Sequence, residues 1–548
     1  MKGRARKEAA RWLIRWGLGM VGILFLWGPS VPADGSMGIA REAFTVLQGT
    51  QVLKDPMLQV RPVVDGLSAP TTMAFIGPDD LLVLQKDDGR VRRVLRGVLQ
   101  PGQVLDVAVD NASERGLLGI ALHPGFPATP WVYLYYTESS MESDTSGSPP
   151  PLGNRVYRFI WDGNALINPT LILDLPATPG PNHDGGIIAF GPDGKLYGVI
   201  GDLNRDGQLQ NFPAGPSPDD TSVIFRLNDD GSIPTDNPFF AQGGNLARYF
   251  AYGIRNSFGI SFDPVTGKLW ITENGPDRYD EINRVEAGFN GGWEPILGPN
   301  ARDPQGIEDL FLVPGAQYVD PEFSWRDVVA PTGIVFLDSV QLGNQYYRDL
   351  LVGDFNRGAL YRFELNPARD RFAFKHPGLA DRVADSRSEL EGLVFGTGFG
   401  GITDLKVGPD GLLYLLSSTE GKIFVVSRSS VGPDLTGSWK MLNQDCREFR
   451  TGVRCRVRGT FLVQNQGTVK ASASRLRFYQ SSDTTFDAGD RLLRQVAAGP
   501  LRPGQTRQRS WSVTLRGDLG GSFVLAVVDA ADTVAEIDET NNVIVFGR

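Results

Sequence analysis

The residue best equipped for chemistry is His183, in the stretch NHDGGIIAFGPDGKLYGVIGD over residues 182–202. An imidazole has an ordinary pKa near about 6.5, so it can accept a proton at neutral pH and act as a general base. Directly after it comes an alternating apolar run, residues 188–200, broken once by Gly-Pro-Asp-Gly. That pattern predicts two short strands joined by a hairpin, which sets the imidazole at the mouth of a sheet. The plainer alternative is a turn histidine that caps a loop. Asp202-Leu203-Asn204-Arg205-Asp206-Gly207 has the D-x-N-x-D-G opening of a calcium loop, although Pro213 stands where the bidentate Glu belongs. An Asx-turn loop is the alternative there. Trp131, Tyr133, Trp270, Trp293 and Trp325 offer faces to sugar rings, or packing between strands.

The elements that position these residues come from a pattern repeated six times. An apolar strand, a Gly/Pro/Asp turn and further apolar strands recur from Thr72, Gly119, Ile187, Gly259, Gly333 and Asp404. The spacing of about 45 to 70 residues is that of a propeller blade with loop insertions, so six blades are expected. Loops of such a ring collect at one end of a central channel, where distant residues converge. The longest polar insertions, residues 138–151 and 201–222, flank the His183 repeat. Loops of that length in a compact domain usually carry function or are disordered.

A chain of 548 residues implies two or three domains. Its formal charge of -9 argues against a nucleic-acid partner. With 66 Gly, 37 Pro and no long stripe of helical period after residue 60, the chain is expected to be all-β. Lys2, Arg4, Arg6, Lys7, Arg11 and Arg15 precede an apolar run over 16–27 and a Val31-Pro32-Ala33 end. Residues 1–33 therefore predict an export signal or an uncleaved membrane anchor. Either places the bulk of the protein outside the cytoplasm, as a periplasmic, secreted or cell-surface chain. Residues 34–60 are a linker and 61–428 the six-bladed β-propeller. Residues 432–548, with a strand every ten or so, form an immunoglobulin-like β-sandwich of seven strands with a role in adhesion or spacing. Cys446 and Cys455 could close a small loop in an oxidising compartment, but their spacing leaves the pairing open.

From Leu67 to Val426 the chain resembles the soluble glucose/sorbosone dehydrogenases, six-bladed propellers that use pyrroloquinoline quinone (PQQ) and calcium. The matching pieces are Glu114-Arg115-Gly116-Leu117-Leu118-Gly119 with His123-Pro124, Asn182-His183, Ile200-Gly201-Asp202, residues 231–238, Gly253-Ile254-Arg255-Asn256, and residues 275–293. The tail resembles the CARDB adhesion-type module through Pro433-Asp434-Leu435 and EIDETNN at 536–542.

The resemblance implies roles position by position. His183 falls where the family has the base that takes the proton from the anomeric hydroxyl. Arg255 falls where a guanidinium contacts the quinone oxygens, and Asn256 where the cofactor is hydrogen-bonded. Gly275 and Pro276 fall where carbonyls hold the cofactor's calcium, Glu281 at a second calcium site, and Glu114 in the pocket. His123 resembles a structural motif and His376 matches nothing. Three basic contacts to the PQQ carboxylates are replaced by Asn356, Gly401 and Thr403, and an arginine after the histidine by Ile187. Arg357 and Lys406 lie nearby as substitutes.

The expected function is an exported quinoprotein that oxidises the anomeric carbon of an aldose to a lactone and passes electrons to an external acceptor. The alternative from another class is a non-catalytic propeller that binds a glycan or a protein, with the C-terminal module as an adhesion arm. A calcium-dependent lactone hydrolase ranks below both, because no cluster of carboxylates marks the channel end.

Overall fold

Strands form where the repeats set apolar residues between tight turns. The computed structural model describes residues 50–302 and 306–546, and most of the export-signal and linker expectations lie outside them. Among the described residues no helix is long and apolar enough to cross a membrane. Contacts divide the chain into one unit built on Arg61–Ser339 and Tyr347–Val425 and another built on Val426–Arg548.

The first unit is the six-bladed propeller, with a sheet of four to six strands for each sequence repeat. The first strands of the blades are Pro70–Gly77, Leu117–Leu122, Ile188–Phe190, Gly259–Phe262, Pro331–Phe336 and Ile402–Val407. Each lies against the first strand of the next blade and the sixth lies against the first, so they form a ring around a central channel. Leu58–Val64 pairs with Lys422–Arg428, and the last blade thus combines both ends of the unit. Threonine hydroxyls stitch the ring. Thr71 Oγ1 donates to the Leu117 carbonyl at 2.9 Å, Thr332 Oγ1 to Ile402 at 2.6 Å and Thr403 Oγ1 to Pro70 at 3.0 Å.

The core lies between blades. Trp270 and Trp325 are fully buried with Phe336, Phe363 and Phe372, and Tyr133 is buried with Tyr135 and Tyr249. These aromatics pack the fold, and none of the three is open to a sugar. Trp131 lies under the Arg158 guanidinium, 4.2 Å from its ring centre.

The second unit is a seven-stranded sandwich. Leu435–Phe449, Gly452–Asn465 and Thr506–Arg516 form one sheet, and Arg491–Ala497, Arg475–Ser481, Phe523–Val527 and Val543–Val545 the other. Phe461, Phe478 and Trp511 fill the space between them. Cys446 and Cys455 stand opposite each other in the first hairpin and are bridged.

Candidate active site

The hairpin of Ile188–Phe190 and Leu196–Ile200 begins just after His183 and ends just before Asp202, so its closure brings the two together. His183 Nδ1 lies 2.6 Å from Asp202 Oδ1. The other oxygen, Oδ2, accepts the Trp293 indole N–H at 2.8 Å. Asp202 is buried, and a carboxylate gripped at both oxygens orients the imidazole. Among the described residues Nε2 of His183 has no protein partner, which leaves that nitrogen for chemistry. Asp202 Oδ1 also accepts the Asn204 backbone N–H at 2.6 Å. This is an Asx turn.

Two backbone features hold this pair. His183 has φ 66°, the left-handed region, between residues that fix it from both sides. Its N–H donates to Glu114 Oε2 at 2.6 Å. A Cβ on Gly201 would come within 2.3 Å of the Arg255 carbonyl oxygen and 2.4 Å of that of His183, so only glycine lets the two segments close on it. His183 and Arg255 therefore belong to one site, on the same end of the ring.

Arg255 completes the patch. Its guanidinium sits 5.3 Å from the Trp293 ring centre and donates through one nitrogen to the carbonyls of Asn274 at 2.9 Å and Gly275 at 3.1 Å. Its Nε is buried without a partner, as is Oδ1 of Asn256. The Asn256 amide donates to Glu114 Oε2 at 2.9 Å, so that one carboxylate oxygen ties Asn256 to His183. Lys86 supports the Glu114 loop, its ammonium donating to the carbonyls of Asn111, Ser113 and Arg115. The long insertion over 201–222 clamps Trp293. Asn211 donates to the Trp293 carbonyl at 2.8 Å, and the Gln210 carbonyl accepts from Glu294 N–H at 2.8 Å.

Behind Gly275 lies an acidic pair. Glu273 and Glu281 face each other across neighbouring strands, and both reach the Asn283 amide, at 3.2 and 2.9 Å. Burial raises Glu281 to about 7 and Glu273 well above the usual carboxylate range, with repulsion from Glu281 adding to the shift of Glu273. Asp184, next to His183 and fully buried, is raised to about 7 by burial. Among the described residues no three His, Cys, Asp or Glu side chains converge as a metal cage.

A glucose/sorbosone dehydrogenase family model matches residues 67–425. The chain belongs to the glucose/sorbosone dehydrogenase family. A CARDB model matches residues 434–546. The aldose sugar dehydrogenase YliI of Escherichia coli K12 is 28% identical over 382 residues, which cover 68% of this chain and 93% of that one. Quinoprotein glucose dehydrogenase B of Acinetobacter calcoaceticus is 32% identical over 255 residues, covering 43% and 52%. The solved structure of a putative oxidoreductase (glucose dehydrogenase) from Thermus thermophilus superposes with a TM-score of 0.54 at 29% identity, covering 67% and 99%.

For this glucose/sorbosone dehydrogenase family member the donor set fits one end of PQQ and not the other. At the reactive end, Arg255 Nε is free to donate to a quinone oxygen, Asn256 Oδ1 is an unpartnered acceptor open to a hydroxyl, and the carbonyls of Asn274 and Gly275 already converge on a cation, the Arg255 guanidinium. Oxygen donors of this kind suit calcium. Pro276 is exposed beside them. The channel wall is predominantly apolar, with Ile187, Phe258, Phe355 and threonines whose hydroxyls are spent on the ring. Lys86 is the cation among the channel-lining residues, and its ammonium is engaged. Neither Arg357 nor Lys406 is among the residues that line this wall. The Arg357 backbone N–H donates to Asp354 Oδ1 at 2.7 Å, and Lys406 pairs with Asp404 at 3.0 Å. Three carboxylates thus meet no free guanidinium or ammonium here.

Proposed function

We propose that the protein is an exported aldose dehydrogenase that oxidises the anomeric carbon of a sugar to a lactone, with His183 as the base. The supporting observation is the continuous chain of contacts from His183 through Asp202 and Trp293 to Arg255, which links an oriented imidazole to a guanidinium. His183 takes the proton of the anomeric hydroxyl at Nε2. Asp202 holds the Nδ1 proton and opposes the charge that the ring gains. Arg255 faces the site as a cation and stabilises negative charge that develops during oxidation. Asn256 and Glu114 orient hydroxyls, Asn256 through its unpaired Oδ1. What PQQ supplies when bound is the two-electron acceptor; Arg255, and Asn256 through its amide N–H, would hold its reactive end, with calcium on the Gly275 and Pro276 carbonyls and at Glu281. Electrons leave to an external acceptor.

The test is dye reduction by the purified chain with calcium and PQQ against a panel of aldoses. Aldose-dependent reduction that His183→Ala abolishes is expected, and activity that survives the substitution removes the mechanism. The cation-poor channel wall favours a second reading, a propeller that binds a glycan or protein without turnover. Absence of PQQ binding at micromolar concentration would promote it.

A further inference from the structure

The C-terminal sandwich carries a basic face that the propeller chemistry does not use. Residues 432–548 hold sixteen Lys and Arg against twelve Asp and Glu, in a chain of net charge -9. The excess is not spread evenly. On the strand Gly452–Asn465, Cys455, Val457, Phe461 and Val463 point into the core, so Arg454, Arg456 and Arg458 all point outward. They recur along the strand at ~6.6 Å. Arg447 stands directly opposite Arg454 on the preceding strand. Arg516 follows two residues after Thr514, the partner of Arg456, and joins the same outer face.

These five arginines have little to neutralise them. Asp445, directly opposite Arg456, pairs with Arg458 at 3.1 Å and is the carboxylate on this stretch of the face. Among the described residues no carboxylate pairs with Arg447, Arg454, Arg456 or Arg516. Like charges set directly across a strand pair destabilise a sheet, and the Cys446–Cys455 bridge beside Arg447 and Arg454 holds them together regardless. An outside anion would relieve the repulsion.

We propose that this face binds an acidic polysaccharide, a polymer whose sugar units carry carboxylates. Guanidinium forks pair with carboxylates in two-bond geometry. Beside them Thr514 and Ser512, the cross-strand neighbours of Arg456 and Arg458, offer hydroxyls to the sugar hydroxyls. At the end of the face Arg454 lies over the exposed Phe449 ring, 5.5 Å from its centre, an aromatic face that a sugar ring can stack on; a membrane-surface site would set apolar side chains between all its cations, whereas Arg456 and Arg458 stand next to Thr514 and Ser512. The proposal is independent of the propeller's activity and goes beyond it.

The experiment measures binding of the full chain to immobilised polygalacturonate, with neutral dextran and phosphatidylserine vesicles as comparisons. The altered chains are Arg447→Ser/Arg454→Ser/Arg456→Ser, and a control of equal charge on the other sheet, Arg475→Ser/Arg491→Ser/Arg494→Ser. Circular dichroism checks that both are folded. The expected result is polygalacturonate binding that high salt abolishes and that the first triple weakens about tenfold, the scale of three exposed charge contacts. The control triple should change it by less than about twofold. Equal loss in both triples, equal binding to dextran, or binding to the vesicles without binding to polygalacturonate overturns the proposal. Should the first triple fail to fold, competition between immobilised polygalacturonate and soluble oligogalacturonate on the unaltered chain, with neutral maltooligosaccharide as control, decides it: competition by both or by neither overturns it.

Discussion

Trp293 donates its indole N–H to Asp202 Oδ2 at 2.8 Å, and so steadies the carboxylate that lies against the His183 ring. Trp293→Phe keeps the ring beside Arg255 and removes only the N–H. Its kcat is expected to fall by up to about tenfold, the worth of one hydrogen bond, with KM little changed. Asp202→Asn removes the charge that supports the imidazolium and is expected to cost about 10²- to 10⁴-fold in kcat. Steady-state kinetics with the best aldose measure both, and an unaltered kcat in Asp202→Asn would falsify the role given to Asp202.

The apolar channel wall makes a separate prediction about affinity. Thr403 lines the channel and its hydroxyl is already used on Pro70. Thr403→Arg introduces one guanidinium for a carboxylate, a charge-assisted contact worth about 1.5–3 kcal/mol. PQQ should therefore bind at least about tenfold more tightly, as read by quenching of tryptophan fluorescence. His183→Ala should leave that affinity within about twofold while removing turnover. A Thr403→Arg chain that binds PQQ no better would show that the carboxylates do not face this wall.

Stability should depend on pH through buried acids away from the candidate metal groups. Burial raises Asp184 and Asp354 to about 7, against about 3.9 for an unfolded aspartate. A raised acid binds protons more strongly in the folded state, so stability falls as pH rises from about 4 to about 7. Melting temperatures should be higher at pH 5.5 than at pH 8. Asp354→Asn should flatten that slope, and a slope of the opposite sign in the unaltered protein would contradict the assignment.

Calcium offers a fourth measurement. Glu281 and Glu273 are buried together at the back of Gly275, and a divalent cation there would relieve their repulsion. Addition of calcium should raise the melting temperature of the unaltered chain, and Glu281→Gln should lose most of that rise. An equal rise in both would place the ion elsewhere.

Much of this was legible in the chain itself. Six repeats beginning near Thr72, Gly119, Ile187, Gly259, Gly333 and Asp404 became six blades, because alternation with a period of two and regular turns allow few other outcomes. Asp202 was harder to place, since the D-x-N-x-D-G spacing suggested a cation loop. A signal for its true partner existed: a hairpin that starts after His183 and ends before Asp202 must close on both. Trp293 carried no such signal. Its contact with Asp202 depends on a loop from another blade and on the clamp from Asn211 and Gln210, which no local pattern encodes. Arg357 shows the converse. Its position in the repeat was readable, but no local pattern encodes the turn in which its backbone N–H is held by Asp354.

The pairing of Leu58–Val64 with Lys422–Arg428 sets an order on biogenesis. A polypeptide made from its amino end cannot latch the propeller until its final blade has emerged, some 360 residues after the latch strand itself. Until then that strand is an open edge able to join other chains, so the nascent protein is best protected by a holding chaperone during synthesis. Proteolytic trimming that ran past residue 58 would remove the latch and leave the ring gaping.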